Sequence, residues 1–224
     1  MASYVFMKIL ESAPTRYDRG IEILSLGENK RIQRDIADNY INKGDRVLEI
    51  GCGTGSLAIS CAEKGASVVG IDLSSRMLAM ANRKVREHNL NEEVQYQELS
   101  ATEIGKVFSD ESFDKITGTL VFSELYPDER RYVLKQAYRI LKPGRLIVIA
   151  DEVVPGSLLK RVLHRLIRIP LAIITYILTQ TTTRALKGFD EPLTETGFKI
   201  VHHKKSNLDS FALYVALKEP VKCQ

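Results

Sequence analysis

Arg46-Val47-Leu48-Glu49-Ile50-Gly51-Cys52-Gly53-Thr54-Gly55 is the stretch that decides the fold. An aliphatic run meets alternating glycines, and a helical pattern follows over residues 56–64, so the stretch reads as strand, tight turn and helix. Such a turn uses dihedrals that glycine reaches cheaply, and it lets a ligand approach the main chain. The helix behind it aims unpaired N–H groups and the positive end of its dipole at the space above the turn.

Working outward, the pattern repeats. Strands are predicted over 67–72, 94–98, 113–120 and 145–150, alternating with helical stretches, which is the signature of βαβ units in a mainly parallel, doubly wound sheet. Ser74 is placed to cap a long helix, with Met77, Leu78, Ala81 and Val85 on one face. Val133, Leu134, Ala137, Ile140 and Leu141 share a face of the helix over 128–141, and Lys142-Pro143-Gly144 is expected to end it. Two more strands, 198–203 and 211–218, close the chain. We therefore divide a single domain into an N-terminal helical cover (1–45), a core (46–150), a helical insertion or lid (151–190) and the last two strands (191–224).

Composition narrows the function classes. The chain of 224 residues is 44% hydrophobic and 27% charged, the balance of a globular protein with room for a core. A net charge of +4, scattered along the chain, gives no footprint for nucleic acid. Cys52, Cys61 and Cys223 are odd in number and lack ligand spacing, so neither a disulfide framework nor a metal is expected. No signal-peptide pattern or membrane-length apolar run is present, and a reducing, cytoplasmic setting is the expectation.

The ligand chemistry comes from two acids. Asp72, at the end of the second predicted strand, is placed to accept the hydroxyl protons of a ribose. Glu49 stands two residues before Gly51, and a carboxylate there suits a positive amino or sulfonium group better than a pyrophosphate, which it would repel. The third glycine of a nicotinamide-type fingerprint would fall on Ser56. The expected ligand is therefore zwitterionic and adenosyl-like, and a nicotinamide-dependent oxidoreductase is the weaker rival.

Val47 to Gly55, then Gly70-Ile71-Asp72-Leu73-Ser74, Ser112-Phe113-Asp114 and Ile140-Leu141-Lys142-Pro143-Gly144, resemble in order the motifs of class I S-adenosylmethionine-dependent methyltransferases. The resemblance covers residues 46–150. It implies a Rossmann-like seven-stranded sheet with the last strand antiparallel, and S-adenosyl-L-methionine as cofactor. It further implies that Gly51, Cys52, Gly53 and Gly55 approach the methionine end, that Asp72 holds the ribose and that Leu73 packs on adenine. Many relatives carry an aspartate after the third strand where this chain has Ser100 before Ala101, so adenine recognition is expected to lean on those residues. Ser12-Ala13-Pro14-Thr15-Arg16-Tyr17-Asp18 with Leu24-Ser25-Leu26-Gly27 looks like the opening of quinone-biosynthesis C-methyltransferases. Phe122-Ser123-Glu124-Leu125, with 165–170 and 179–184, looks more like corrinoid protein-associated methyltransferases.

In open α/β sheets the substrate lies beyond the carboxyl ends of the strands, which puts residues from Thr119 to Tyr126 near the methyl group. Glu124 is the catalytic candidate. It is a general base, an anchor for a cationic acceptor, or a solvated charge at a helix start. Tyr17 either closes over the cofactor or packs against the domain. His202 and His203 are adjacent on a strand and point to opposite faces, which argues against joint metal binding. Cys52 reads as a small packing residue. The stretch 158–178 is amphipathic and cationic on a helix, with Arg161, Arg165 and Arg168 on one face. It is expected to cover the acceptor pocket, with contact to a peripheral membrane or a corrinoid protein as further readings. The expected acceptor is a small molecule, lipophilic or quinone-like. The rival of another class is a cofactor-binding module that acts through protein partners.

Overall fold

A computed structural model describes residues 27–153, 185–206, 209 and 211–220. Helix α1 (Glu28–Tyr40) leads into β1 (Arg46–Ile50), α2 (Ser56–Glu63), β2 (Ser67–Asp72), α3 (Ser75–Glu87) and β3 (Val94–Glu98). A 3-10 turn (Ala101–Glu103) and a short helix, α4 (Ile104–Val107), precede β4 (Phe113–Thr119), α5 (Pro127–Ile140) and β5 (Leu141–Glu152). The described chain closes with α6 (Asp190–Glu195), β6 (Phe198–Lys205) and β7 (Phe211–Lys218).

The strands form one seven-stranded sheet in the order β3-β2-β1-β4-β5-β7-β6. β1 to β5 pair in parallel, and β7 runs antiparallel to both β5 and β6, as the resemblance implied. Each face of the sheet carries its own core. Leu48, Ile50, Ile116, Ile147 and Ile149 face Val133, Leu134 and Ala137 of α5. Val47, Val68, Val148 and Val215 face Ile36 of α1 and Leu57, Ala58 and Cys61 of α2. Strands covered on both sides need near-continuous apolar sequence, which β1 and β2 approach with Val47, Leu48 and Ile50 and with Val68, Val69 and Ile71, whereas β4 is as buried but carries Asp114, Lys115 and Thr117. The chain winds outward from β1 to β3 and then crosses to β4, so β1 and β4 flank the point where the winding reverses.

Helix predictions hold closely. The Ser74 hydroxyl accepts the Met77 N–H at 3.2 Å and caps α3. Met77, Leu78, Ala81 and Val85 are buried along α3, as are Val133, Leu134, Ala137 and Ile140 along α5. Pro127 starts α5, where its missing N–H costs nothing. Helix α5 ends at Ile140, just ahead of Lys142-Pro143-Gly144, and Gly144 turns with φ 74° in a detour at the opening of β5. Asp114 accepts from Lys142 Nζ at 2.9 Å and from the Arg46 N–H at 3.1 Å, and the β4–β5 register shifts between Phe113 and Lys115 to absorb the detour. The fourth strand stops one residue early, because Leu120 takes a φ of 57° and turns the chain away. At the other end β5 runs to Glu152, inside the expected insertion, and Val153 bridges Leu186. Residues 154–184 of that insertion, 158–178 included, and Tyr17 lie outside the described residues.

Candidate functional site

Two turns leave the sheet side by side at the β1/β4 crevice. In the first, Gly51 has φ 68°, and a Cβ on it would stand 2.7 Å from Val121 Cγ2 in the second turn. Gly53 has φ 53°, and a Cβ there would meet nothing within 4 Å, so the backbone faces open space. Thr54 and Ser56 are tied down from α3, where Lys84 Nζ donates to both hydroxyl oxygens at 3.0 and 3.2 Å. Tyr96 on β3 lies over Gly70 and donates to the Gly55 carbonyl at 3.5 Å.

Asp72 closes this side. Its Oδ2 accepts the Gly53 N–H at 2.8 Å and its Oδ1 accepts the Ser74 N–H at 2.9 Å. The expected ribose acid is therefore also the brace of the glycine turn. Glu49 sits beneath, 2% exposed. Its Oε2 has no hydrogen-bond partner among the described residues. Burial pushes its carboxyl up to about 8, opposed by the Ala58 N–H and reinforced by the charge of Asp72. Cys52 is buried beside Glu49, and burial raises its thiol well above the usual range, which fits a packing residue and not a nucleophile. Leu73 is 63% exposed at the rim. Ser100 opens the 3-10 turn with its hydroxyl accepting the Thr102 N–H at 3.2 Å, and Ala101 follows, partly buried.

The second turn, 120–126, carries Glu124. It is not the solvated acid that one sequence reading allowed. Glu124 is partly buried, and burial together with the charges of Asp151 and Asp72 pushes its carboxyl up to about 8. Thr119 ends β4 next to it, half-buried, and Phe122 anchors the turn in the core against Phe189 at 5.6 Å. Asp151 at the end of β5 is fully buried; burial lifts its carboxyl to about 6 against the hydrogen bonds from Ser123 and the Glu152 N–H. Glu49, Asp72, Glu124 and the glycine turn are thus gathered at one edge. His202 and His203 are not: they lie on β6, where His203 stacks on Tyr214 at 4.3 Å. Among the described residues no group of His, Cys, Asp and Glu is arranged to hold a metal ion. The same residues contain no helix long and apolar enough to cross a membrane.

A methyltransferase-domain family model matches residues 47–144. A ubiquinone/menaquinone biosynthesis C-methyltransferase from Geotalea daltonii is 30% identical, with the match covering 70% of this chain and 67% of that one. The chain belongs to the class I S-adenosylmethionine-dependent methyltransferases. A demethylmenaquinone methyltransferase of Lactobacillus johnsonii is 27% identical across 92% of this chain and 89% of its own. A solved S-adenosylmethionine-dependent methyltransferase of Methanosarcina mazei matches with a TM-score of 0.65 and 25% identity, covering 83% of this chain and 97% of that one. The cofactor of this methyltransferase is S-adenosylmethionine, and the geometry fits it. The unpartnered Glu49 oxygen suits a buried cation, and the open space over Gly53 is what a close-lying ligand needs.

Sequence reasoning missed Asp151, Arg130, Lys84 and Tyr96. An acid at the carboxyl end of a parallel strand was a usable signal for Asp151. Lys84 and Tyr96 reach the glycine turn from 30 and 41 residues away, and nothing local marks them.

Proposed function

We propose that this methyltransferase acts on a small, lipophilic, quinone-like acceptor that gives up a proton as it gains the methyl, and that Glu124 takes this proton. The observation that carries the reading is the position of Glu124 beside the crevice, with a carboxyl raised to about 8. A base is useful when its affinity for protons matches the working pH.

S-adenosylmethionine brings an already activated methyl, so the protein has mainly to align, desolvate and manage one proton. Gly51, Gly53 and Gly55 cradle the methionine end with Glu49 beside its ammonium. Asp72 accepts from the ribose, Leu73 covers one face of adenine, Ser100 and Ala101 meet its edge, and Thr119 borders the methyl. Asp72, Glu124 and Asp151 together disfavour an acceptor that arrives as an anion. A quinone ring is electrophilic, which makes the reduced, phenolic form the better nucleophile. Such a ring arrives neutral and becomes reactive on losing its proton to Glu124. The relatives named for demethylmenaquinone and for ubiquinone/menaquinone biosynthesis support the acceptor class. Val121, Phe122 and Leu125, which flank Glu124 in sequence and pack on or within the core, support an apolar surround.

The test is methyl transfer from labelled cofactor to a short-chain reduced demethylmenaquinone. The expected products are the methylated ring and S-adenosylhomocysteine, with Glu124→Gln lowering kcat by about 10²-fold at unchanged cofactor affinity. Failure to methylate any reduced quinone while cofactor binds would overturn the acceptor class. Full activity of Glu124→Gln would overturn the base.

A further inference from the structure

We infer that Asp151 is a positioning residue, which from β5 and opposite Arg130 of α5 clamps the turn 120–126 so that Glu124 is set at the crevice before an acceptor arrives. The inference rests on the reading of Glu124 as the acceptor-facing group. It adds an assignment to a residue with no partner in the glycine turn.

The clamp is visible bond by bond. Leu120 begins the turn in the left-handed region at φ 57°, an uncommon conformation for a branched side chain, and its N–H reaches the Ala150 carbonyl at 2.9 Å. The Ser123 N–H donates to Asp151 Oδ2 at 2.9 Å, and the Glu152 N–H donates to Oδ1 at 2.7 Å. From the other side Arg130 Nε donates to the Phe122 carbonyl at 2.8 Å and Nη2 donates to the Leu125 carbonyl at 3.1 Å. The Glu124 N–H closes on the Val121 carbonyl at 3.2 Å. The turn therefore has its backbone groups fixed at 120, 122, 123 and 125 by partners on β5 and α5, and at 124 by its own Val121. A segment so fully bonded resists local opening.

A neutral amide has one acceptor oxygen and could take only one of the Ser123 and Glu152 N–H groups, so the second oxygen of the carboxylate is needed, and its charge needs its own account. Burying a carboxylate is costly unless it is well bonded, and Asp151 is fully buried. Asp151 faces Glu124 on the turn, Glu152 on its own strand, Arg130 on α5 and Tyr214 on β7. Glu124 faces Asp151 and Asp72. A second carboxylate in this place makes Glu124 a stronger base while also fixing where it stands.

Two measurements on the full chain need no acceptor: backbone hydrogen exchange across 120–126, and the titration midpoint of the Glu124 carboxyl followed by carbon NMR, both with and without S-adenosylhomocysteine. Asp151→Asn should speed exchange at Ser123 about tenfold and lower the Glu124 midpoint by about one unit. Arg130→Lys keeps the charge and loses the fork, so it should speed exchange across 122–126 and leave the midpoint in place. If Asp151→Asn does not fold, Arg130→Lys with wild type decides the clamp, and unchanged exchange in that variant overturns it. In a folded Asp151→Asn, wild-type exchange or a wild-type midpoint overturns the inference. Turnover that survives Glu124→Gln, with exchange and midpoint responding as stated in the Asp151 and Arg130 variants, removes the base reading and leaves the clamp standing.

Discussion

The turn after β1 and the turn after β4 leave the same edge of the sheet and touch at Gly51 and Val121, yet they are built by different means. The first is held by what it lacks: glycines take backbone angles that other residues pay for, and leave room for a ligand. The second has no glycine. It is held by what reaches it, with Asp151 and Arg130 supplying the bonds that its own residues do not. The first turn takes its shape from its own glycines and is braced by Asp72, Lys84 and Tyr96, whereas the second takes its shape from Asp151 and Arg130.

The most damaging single change should be at the point of contact. Gly51→Ala places a Cβ against Val121 and strains a positive φ, which together cost about 1–3 kcal/mol. Both turns should suffer, so calorimetry is expected to show cofactor affinity reduced by about 10²-fold and the melting temperature lowered. Gly53→Ala is the contrast, since its Cβ meets no protein atom within 4 Å. It should lose cofactor affinity, and its melting temperature should fall only by the strain of its own positive φ, less than in Gly51→Ala. Equal melting losses in the two variants would erase the distinction.

Asp72→Ala removes both the brace of the Gly53 N–H and the proposed ribose acceptor. Cofactor affinity should fall by roughly 1.5–3 kcal/mol in a folded variant, and unchanged affinity would refute the ribose role.

The two turns also differ in how they meet pH. Glu49 and Glu124 bind protons more tightly folded than unfolded, because both are raised from 4.5 to about 8. The folded chain therefore carries more protons between those values, and the stability these groups contribute is lost as pH rises towards about 8. Urea unfolding without cofactor should give a lower stability at about pH 9 than at about pH 6. On the cofactor side, an ammonium beside Glu49 should reverse its shift, and binding at neutral pH should release a proton, read by calorimetry in buffers of different ionisation enthalpy. On the acceptor side, kcat/KM should rise with pH through about 8, since Glu124 must be ionised to take a proton. A flat profile across that range would separate Glu124 from the chemistry.

Lys84→Met should have the smallest effect. It removes two hydrogen bonds to Thr54 and Ser56 from a partly exposed position, costing about 1 kcal/mol and loosening only the glycine turn. Faster hydrogen exchange confined to 53–57 is the expected readout.

Much of this protein is determined by sequence alone, because its signals are local. Periodicity placed the strands and helices, Ser74 announced its cap, and the glycines with Glu49 and Asp72 named the ligand chemistry within a span short enough for one βαβ unit. Only the tertiary structure decided what depends on distant chain segments meeting. Lys142-Pro143-Gly144 follows the end of its helix as its local pattern says, but that Lys142 bonds Asp114 on the neighbouring strand is visible only in the fold. Glu124 stood out in the sequence as a catalytic candidate, with a solvated charge as the alternative, and only the fold buried it near Asp151 and Asp72. A proton affinity is set by every charge and every missing water around a group, and Asp151 lies 28 residues from the Ser123 it holds. No local pattern encodes that distance, whereas the sheet, by pairing β4 with β5, closes it.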